Sequence, residues 1–486
     1  MLLSLLFGLR VVFINDLHGH YENIPGIVKI FKDLKTNSSL LLNGADEFTG
    51  TSMFRYYGAN KSIEIINELQ YDAMTLGNHE FDKGLPYLTQ YLQQLKIPII
   101  TSNVHATSNP QFNALIKPYI IKGDVGIIGS TTPDTLFQST IKNVEFLPYI
   151  EQIQKYVNEL NSKGIYKILL LSHNGYKNDQ IIAKNTNGLS VIIGAHSHSL
   201  LTNNKAYAGD TIEGPFPTKV MDKTNHTVYV VQAKCYGWYV GYFDIDFYSN
   251  NTVKSFVGDS IQVSRYNVDK EWDIRVKEWN KPVEAKYGRV ISKSSVDFAD
   301  TCWTKHCELN KLIATTLLRF YQSKRKADHI PTFGLIQGGA ARENFLMGNI
   351  TVGDIFDALP FDDKVIGVVM KGDILLQCLE GSIAGYRKKL QVTGYLQGSS
   401  NTKMSIVNRK FINMHVLVHN KWELVVPTKY YRVVTSSFLL SGGDNVFPPF
   451  AKFEDGLEFV NEAVIKVFKS TDDIASLIFD FSKNKK

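Results

Sequence analysis

Short apolar runs alternate with polar loops along the first half of the chain, and each such run ends in a cluster of His, Asp or Asn. Val11 to Ile14 leads into Asn15-Asp16-Leu17-His18, and Ser39 to Leu42 into Asn43-Gly44-Ala45-Asp46. Ala73 to Leu76 precedes Gly77-Asn78-His79-Glu80, Ile168 to Leu171 precedes Ser172-His173-Asn174-Gly175, and Val191 to Ile193 precedes Gly194-Ala195-His196-Ser197-His198. Runs of four or so apolar residues bounded by turn formers predict buried strands. Between them, the 3.6-residue period predicts helices over Ile24 to Leu34, Ser62 to Leu69, Leu85 to Leu95 and Tyr149 to Ser162. This is an α/β layout, in which ligand sites form at the carboxyl ends of the strands. All five polar loops fall at such ends.

The second half follows a different pattern. Asp269 to Lys286 is helical and charged, with Trp272 and Trp279 seven apart on one face. After it come a helix (Leu309 to Arg325), a strand with a Gly-rich turn (Thr332 to Ala341), the segments Val352 to Leu359 and Val365 to Met370, and a β-rich stretch from Phe411 to Val434. The 486 residues exceed one ordinary domain. The expected division is a segment 1–10, a catalytic domain 11–266, a helical linker 267–287 and a substrate-binding domain 288–486.

Composition narrows the classes. Hydrophobic residues at 44% and charged residues at 21% are ordinary for a globular chain and exclude disordered and fibrous ones. The net charge of +6 is mild and unclustered, so no nucleic-acid partner is expected. Residues 1–10 resemble the apolar region of a short or truncated secretory signal. No membrane anchor is expected, since no apolar run reaches the length of a span and the C-terminus is polar. Sequons at Asn37, Asn60, Asn225, Asn250 and Asn349 permit secretion. Of the four cysteines, Cys302 and Cys307 have a spacing that can close a small disulfide loop, Cys235 lies in a strand-like run and Cys378 in a helix-like one.

A pair of divalent cations needs imidazole and carboxylate ligands and one acid able to bridge. Asp16 and His18 are two apart, placing both on one side of an extended strand end. Asp46 is the natural bridge, Asn78 offers an amide oxygen, and His173, His196 and His198 supply further imidazoles. Any one of these histidines is more often an ordinary hydrogen-bonded residue. Their joint placement at strand ends is the signal.

The order Asp-x-His, Gly-Asn-His-Glu, His, Gly-x-His-x-His resembles the calcineurin-like metallophosphatases. The stretch from Asn67 to Gly84 is similar to the 5′-nucleotidase and apyrase branch specifically. The resemblance implies a two-domain α/β fold: an N-terminal αββα metallophosphatase sandwich and a C-terminal α+β nucleotide-binding domain. It further implies one metal on Asp16, His18, Asp46 and His198, and a second on Asp46, Asn78, His173 and His196. Zinc is the expected ion, with manganese or cobalt as alternatives. The implied chemistry is attack of a metal-acidified water on phosphorus, with His79 stabilising the phosphoryl group and Asp82 orienting His79. In the second domain it implies that Arg342 contacts the nucleotide, Phe361 and Phe438 sandwich the base, and Asp444 holds the ribose hydroxyls. Gln337 occupies a substrate-loop position where the family has Asn.

Other departures are Ala45 before Asp46 in place of Gly, Trp303 (with Lys305 nearby) in place of an Arg, and Glu308-Leu309-Asn310-Lys311 after the second Cys. If position 45 needs positive φ, Ala costs roughly 1 kcal/mol. The expected activity is secreted, metal-dependent release of phosphate from ATP and ADP. The alternatives are an AMP-specific 5′-nucleotidase and, behind it, an inactive nucleotide-binding protein.

Overall fold

The computed structural model describes residues 8–139, 141, 143–207, 209–298, 306–326, 328–387, 395–408, 410–448 and 456–479. Cys302, Trp303 and Lys305 lie outside the described residues. The chain divides into two units: Met1–Thr49 with Tyr56–Lys281, and Gly50–Arg55 with Pro282–Lys486.

Two sheets build the first unit. One has seven strands, in the order Val253–Gln262, Tyr239–Phe247, Leu9–Ile14, Ser39–Asn43, Ala73–Met74, Ile99–Ile100 and Ile116–Lys117. The other has six: Thr218–Met221, Thr227–Val231, Val191–Gly194, Lys167–His173, Val125–Thr131 and Tyr119–Lys122. The strand Leu9–Ile14 runs parallel to Ser39–Asn43 in register Ile14 to Asn43, so the two segments leave the sheet side by side. In the same way Lys167–His173 lies parallel between Val125–Thr131 and Val191–Gly194.

Side-chain alternation explains the layering. Leu169 and Leu171 join Val11, Phe13, Leu42, Ile127, Ile193 and Phe243 in one core shared by both sheets. Their neighbours Ile168 and Leu170 point the other way, onto Ile153, Val157, Leu160 and Ile182 of the helices Tyr149–Ser162 and Tyr176–Asn185. Strands buried on both faces read as unbroken apolar runs, which is why the sequence there shows no polar alternation. The predicted helix Ile24–Leu34 forms as expected, with Pro25 in its first turn and Ile24, Ile27, Val28 and Phe31 buried.

The helix Lys270–Tyr287 carries Trp272 and Trp279 with ring centroids 6.0 Å apart, and the Arg275 guanidinium lies 4.0 Å from the first ring and 5.4 Å from the second. Arg275 also pairs with Glu64 and Glu68. The division between the units falls inside this helix, before Pro282. Among the described residues no helix is long and apolar enough to cross a membrane.

The second unit is α+β. A four-stranded sheet runs Val365–Lys371, Tyr430–Ser436, Thr332–Ile336, Gln397–Gly398, and a three-stranded one runs Thr402–Val407, Lys410–Val418, Lys421–Leu424. Phe333, Leu335, Val368, Leu379, Met414, Val433 and Phe447 form its core. Cys378 is buried in the helix Gly372–Arg387, and Cys235 is buried too. Cys235, however, sits in a turn and not in a strand: Lys234 and Tyr236 on either side have φ of 58° and 61°.

Candidate active site

Five loops of the first unit close up around two glycines, Gly44 and Gly77. A Cβ on Gly44 would come within 2.7 Å of Asn15 Cβ and 3.0 Å of Ala195 Cβ; one on Gly77 would lie 2.1 Å from Asp46 Oδ1 and 2.7 Å from His173 Cε1. Only glycine permits this approach.

Around these contacts Asp16, His18, Asp46, Asn78, His173, His196 and His198 come together. His18 Nε2 lies 3.2 Å from His198 Nε2 and 3.7 Å from Asp46 Oδ2. His198 Nε2 lies 3.5 Å from Asp16 Oδ1, and His173 Nε2 lies 3.0 Å from Asp46 Oδ2 and 3.9 Å from Asp16 Oδ1. His196 Nδ1 is 2.8 Å from Asn78 Oδ1. Each of the triads Asp16–His18–His198, His18–Asp46–His79 and Asp46–His173–His196 offers ligand atoms within 4.8 Å of one another.

The two-residue spacing predicts Asp16 and His18 on one face of an extended strand, and the structure corrects this. The strand ends at Ile14, and both residues adopt left-handed backbone, at φ 52° and 49°. Asp46 (54°), His196 (74°) and His198 (54°) do the same, so five of the seven candidates leave their strands through conformations that L-residues rarely take. Ala45 also has positive φ, at 68°, so the expected strain at that position is present.

Hydrogen bonds hold these loops in place. Asn15 Nδ2 donates to Asp16 Oδ2 (2.7 Å) and to the Lys234 carbonyl (2.5 Å), and the His196 N–H lies 3.0 Å from both Asp16 oxygens. Asn43 Oδ1 accepts from the Ala45 N–H at 2.8 Å. The buried Glu80 carboxylate accepts three backbone N–H groups, from Gly77 (2.7 Å), Glu47 (2.7 Å) and Asp46 (3.1 Å). Sequence reasoning assigned Glu80, Asn15 and Asn43 no part, although all three stood in the quoted loops.

The imidazoles are oriented from behind. His173 Nδ1 faces the Gly44 carbonyl at 2.7 Å, and His18 Nδ1 faces the carbonyls of Phe48 (3.0 Å) and Thr49 (2.9 Å). A carbonyl only accepts, so each Nδ1 carries the proton and each Nε2 is left for the centre. His79 Nδ1 lies 2.8 Å from Asp82 Oδ2, and the His79 N–H donates to Asp46 Oδ1 at 3.0 Å.

Burial raises Asp16 to about 7, opposed by His173. Burial also works against charge on Asp46, but His173, His79 and His18 outweigh it and hold this carboxyl well below the usual range. For His173, burial lowers the pKa while Asp46 and Asp16 bring it up to about 10. Mutually facing ring nitrogens and carboxylates suit divalent cations, for which neutral imidazole and carboxylate are fitting donors. The buried His173 Nε2, which faces Asp46 Oδ2 at 3.0 Å and Asp16 Oδ1 at 3.9 Å, fits the same reading.

The second unit holds the other candidates. Arg342 lies with its guanidinium 5.0 Å from the Phe361 ring centroid, and its backbone N–H donates to the Ala358 carbonyl at 2.9 Å. Gln337 is buried, its Oε1 has no hydrogen-bond partner among the described residues, and its backbone carbonyl accepts from Asn310 Nδ2 at 3.0 Å. A Cβ on Gly443 would meet the Phe438 ring at 2.6 Å, so ring and glycine lie flat together. Asp444, at φ 57°, is buried, and neither carboxylate oxygen has a hydrogen-bond partner among the described residues. Burial raises it to about 7, with Arg342 opposing.

Residues 9–200 match the calcineurin-like phosphoesterase family, and residues 290–452 match the 5′-nucleotidase C-terminal domain. Fold and site thus define a two-domain metallophosphoesterase-type hydrolase. An apyrase from Anopheles gambiae is 30% identical over 97% of this chain and 90% of its own, and a snake venom 5′-nucleotidase from Gloydius brevicauda is 28% identical over 90% and 82%. A crystal structure of a 5′-nucleotidase precursor from Thermus thermophilus superposes with a TM-score of 0.86 at 27% identity, covering 96% of this chain and 97% of that one. The chain belongs to the 5′-nucleotidase and apyrase family.

Proposed function

We propose that this protein releases phosphate from extracellular nucleotides, with ATP and ADP as preferred substrates. The convergence of Asp16, His18, Asp46, Asn78, His173, His196 and His198 at the strand ends of the first unit carries the reading. Asp16, His18, Asp46 and His198 would hold one divalent cation and Asp46, Asn78, His173 and His196 the other. Bound there, zinc, manganese or cobalt supplies Lewis acidity, lowering the pKa of water and neutralising phosphoryl charge.

The chain's own residues do the rest. Asp82 fixes the His79 tautomer through Nδ1, leaving Nε2 to stabilise charge on the phosphoryl oxygens. In the second unit, taken by itself, Phe361 and Phe438 would stack on the base, Arg342 and Gln337 would donate to substrate oxygens, and Asp444 would accept from the ribose hydroxyls. The buried Asp444 carboxylate, with no hydrogen-bond partner among the described residues, supports that last role. In domain terms, 11–266 is the catalytic part, 267–287 the helical linker and 288–486 the substrate-binding part.

Secretion is supported by the exposure of all five sequon asparagines. Cys302 and Cys307, five apart, would close a small disulfide loop suited to an oxidising compartment.

The second reading, an AMP-specific 5′-nucleotidase, is favoured by the similarity to the venom and Thermus thermophilus 5′-nucleotidases. Phosphate release from ATP, ADP and AMP, measured with and without chelator, separates the two. Metal-dependent release from ATP and ADP supports the first reading and release from AMP alone the second; no release from any of them overturns both.

A further inference from the structure

Thr49 holds a backbone conformation that its side chain disfavours. Its φ is 63°, in a region where a β-branched residue is an outlier, and where Gly or Asn would sit with less strain. Such residues persist where their surroundings require them, and they cluster at functional sites. The surroundings here are specific. The Thr49 hydroxyl donates to Asp82 Oδ2 at 2.6 Å, the same oxygen that faces His79 Nδ1 at 2.8 Å. The Thr49 carbonyl lies 2.9 Å from His18 Nδ1. The His18 and His79 rings are themselves edge to face, with centroids 5.1 Å apart. One residue therefore touches both a candidate metal ligand and the carboxylate behind His79.

We infer that Thr49 is a positioning residue for the reaction, its hydroxyl locking the Asp82 carboxylate so that His79 is held in one tautomer and one orientation. The inference rests on the reading of His79 and Asp82 as the catalytic dyad. A carboxylate oxygen that takes both a hydroxyl and an imidazole N–H loses the freedom to rotate about its Cβ–Cγ bond. Without the hydroxyl, Asp82 swings and the imidazole loses the support that aims Nε2. The left-handed backbone is what brings the hydroxyl to Asp82 while the carbonyl turns toward His18. The strain and the two contacts are parts of one arrangement.

Three substitutions separate this role from a structural one. Thr49→Val keeps the β-branch and deletes the hydroxyl. Thr49→Ser keeps the hydroxyl. Thr49→Gly deletes the hydroxyl and relieves the strain. With ADP as substrate and zinc content measured on each protein, Thr49→Val is expected to lower kcat about tenfold with KM and bound zinc unchanged. Thr49→Ser is expected to retain kcat to within about threefold, the mark of a hydroxyl requirement. Thr49→Gly should match Thr49→Val in kcat while its thermal midpoint stays close to the parent's, and it decides the matter if the valine variant does not fold. Asp82→Asn is run beside them. Full kcat in Thr49→Val and Thr49→Gly, with kcat lost in Asp82→Asn, overturns the role of Thr49 alone; full kcat in Asp82→Asn overturns the dyad as well.

Discussion

The two candidate sites of this chain are built in opposite ways. In the first unit the functional side chains are already engaged from behind: carbonyls of Gly44, Phe48 and Thr49 take the imidazole Nδ1 protons, Asn15 holds Asp16, and Glu80 clamps the backbone of Asp46. In the second, Asp444 and Gln337 Oε1 are buried without hydrogen-bond partners among the described residues. A buried polar group left unpaired costs about 1–3 kcal/mol. The first arrangement suits a permanent charge centre that must not move, and the second a ligand that comes and goes and completes the hydrogen bonding when it binds.

The largest effect should follow from breaking the permanent centre. Asp46→Asn removes the carboxylate proposed to bridge, and kcat for ADP should fall on the order of 10³-fold, with bound metal reduced in the same preparation. Retained metal and retained kcat would place the bridge elsewhere.

A smaller effect is expected at the ligand-completed site. Asp444→Ala should raise KM for nucleotides about tenfold, with kcat nearly unchanged, since the lost bonds are made equally in bound substrate and transition state. The pH dependence sharpens the contrast. Burial lifts Asp444 from 3.8 to about 7, so between those values the folded chain keeps a proton that the unfolded chain releases. That contribution to stability is full below the unfolded value and is lost as pH rises through about 7. The ionised carboxylate is the better acceptor for ribose hydroxyls, so adenosine, which has no phosphate to titrate, should bind more tightly at pH 8 than at pH 6. Asp444→Asn should flatten both slopes, as read by thermal melts and by adenosine titration.

The smallest effect lies at Ala45. Its φ of 68° costs an alanine about 1 kcal/mol relative to glycine, so Ala45→Gly should raise the thermal midpoint of the first unit by about 2–4 °C with little change in KM. An unchanged or lower midpoint would mean that the Asn43 and Glu80 hydrogen bonds flanking Ala45 already absorb the strain.

Much of this was legible in the sequence. The apolar runs Ile168 to Leu171 and Val191 to Ile193 lie within the strands Lys167–His173 and Val191–Gly194, and the helices Ile24–Leu34 and Tyr149–Ser162 form with the predicted bounds. The seven candidate ligands could be named because His, Asp and Asn recur after apolar runs, and the structure gathers them into one cluster. What could not be read was how they get there. Strand periodicity suggested that Asp16 and His18 share a face, but the chain turns left-handed after Ile14, and neither residue type advertises such a turn as glycine does. Thr49 gave no signal either. A lone threonine in a polar loop is ordinary, and its meaning depends on Asp82, 33 positions away. Cys235 read as part of a strand because apolar neighbours surround it, whereas the turn that holds it is fixed by the Tyr236 N–H donating to the Asp16 carbonyl at 2.7 Å.

The central claim is that the clustered residues of the first unit hold the divalent cations that drive hydrolysis. The direct test strips the protein with chelator, titrates zinc back, and follows bound metal and phosphate release from ADP in the same samples. The account predicts that release is lost on stripping and returns in step with metal, saturating at two ions per chain. Full phosphate release from the metal-free protein would contradict it.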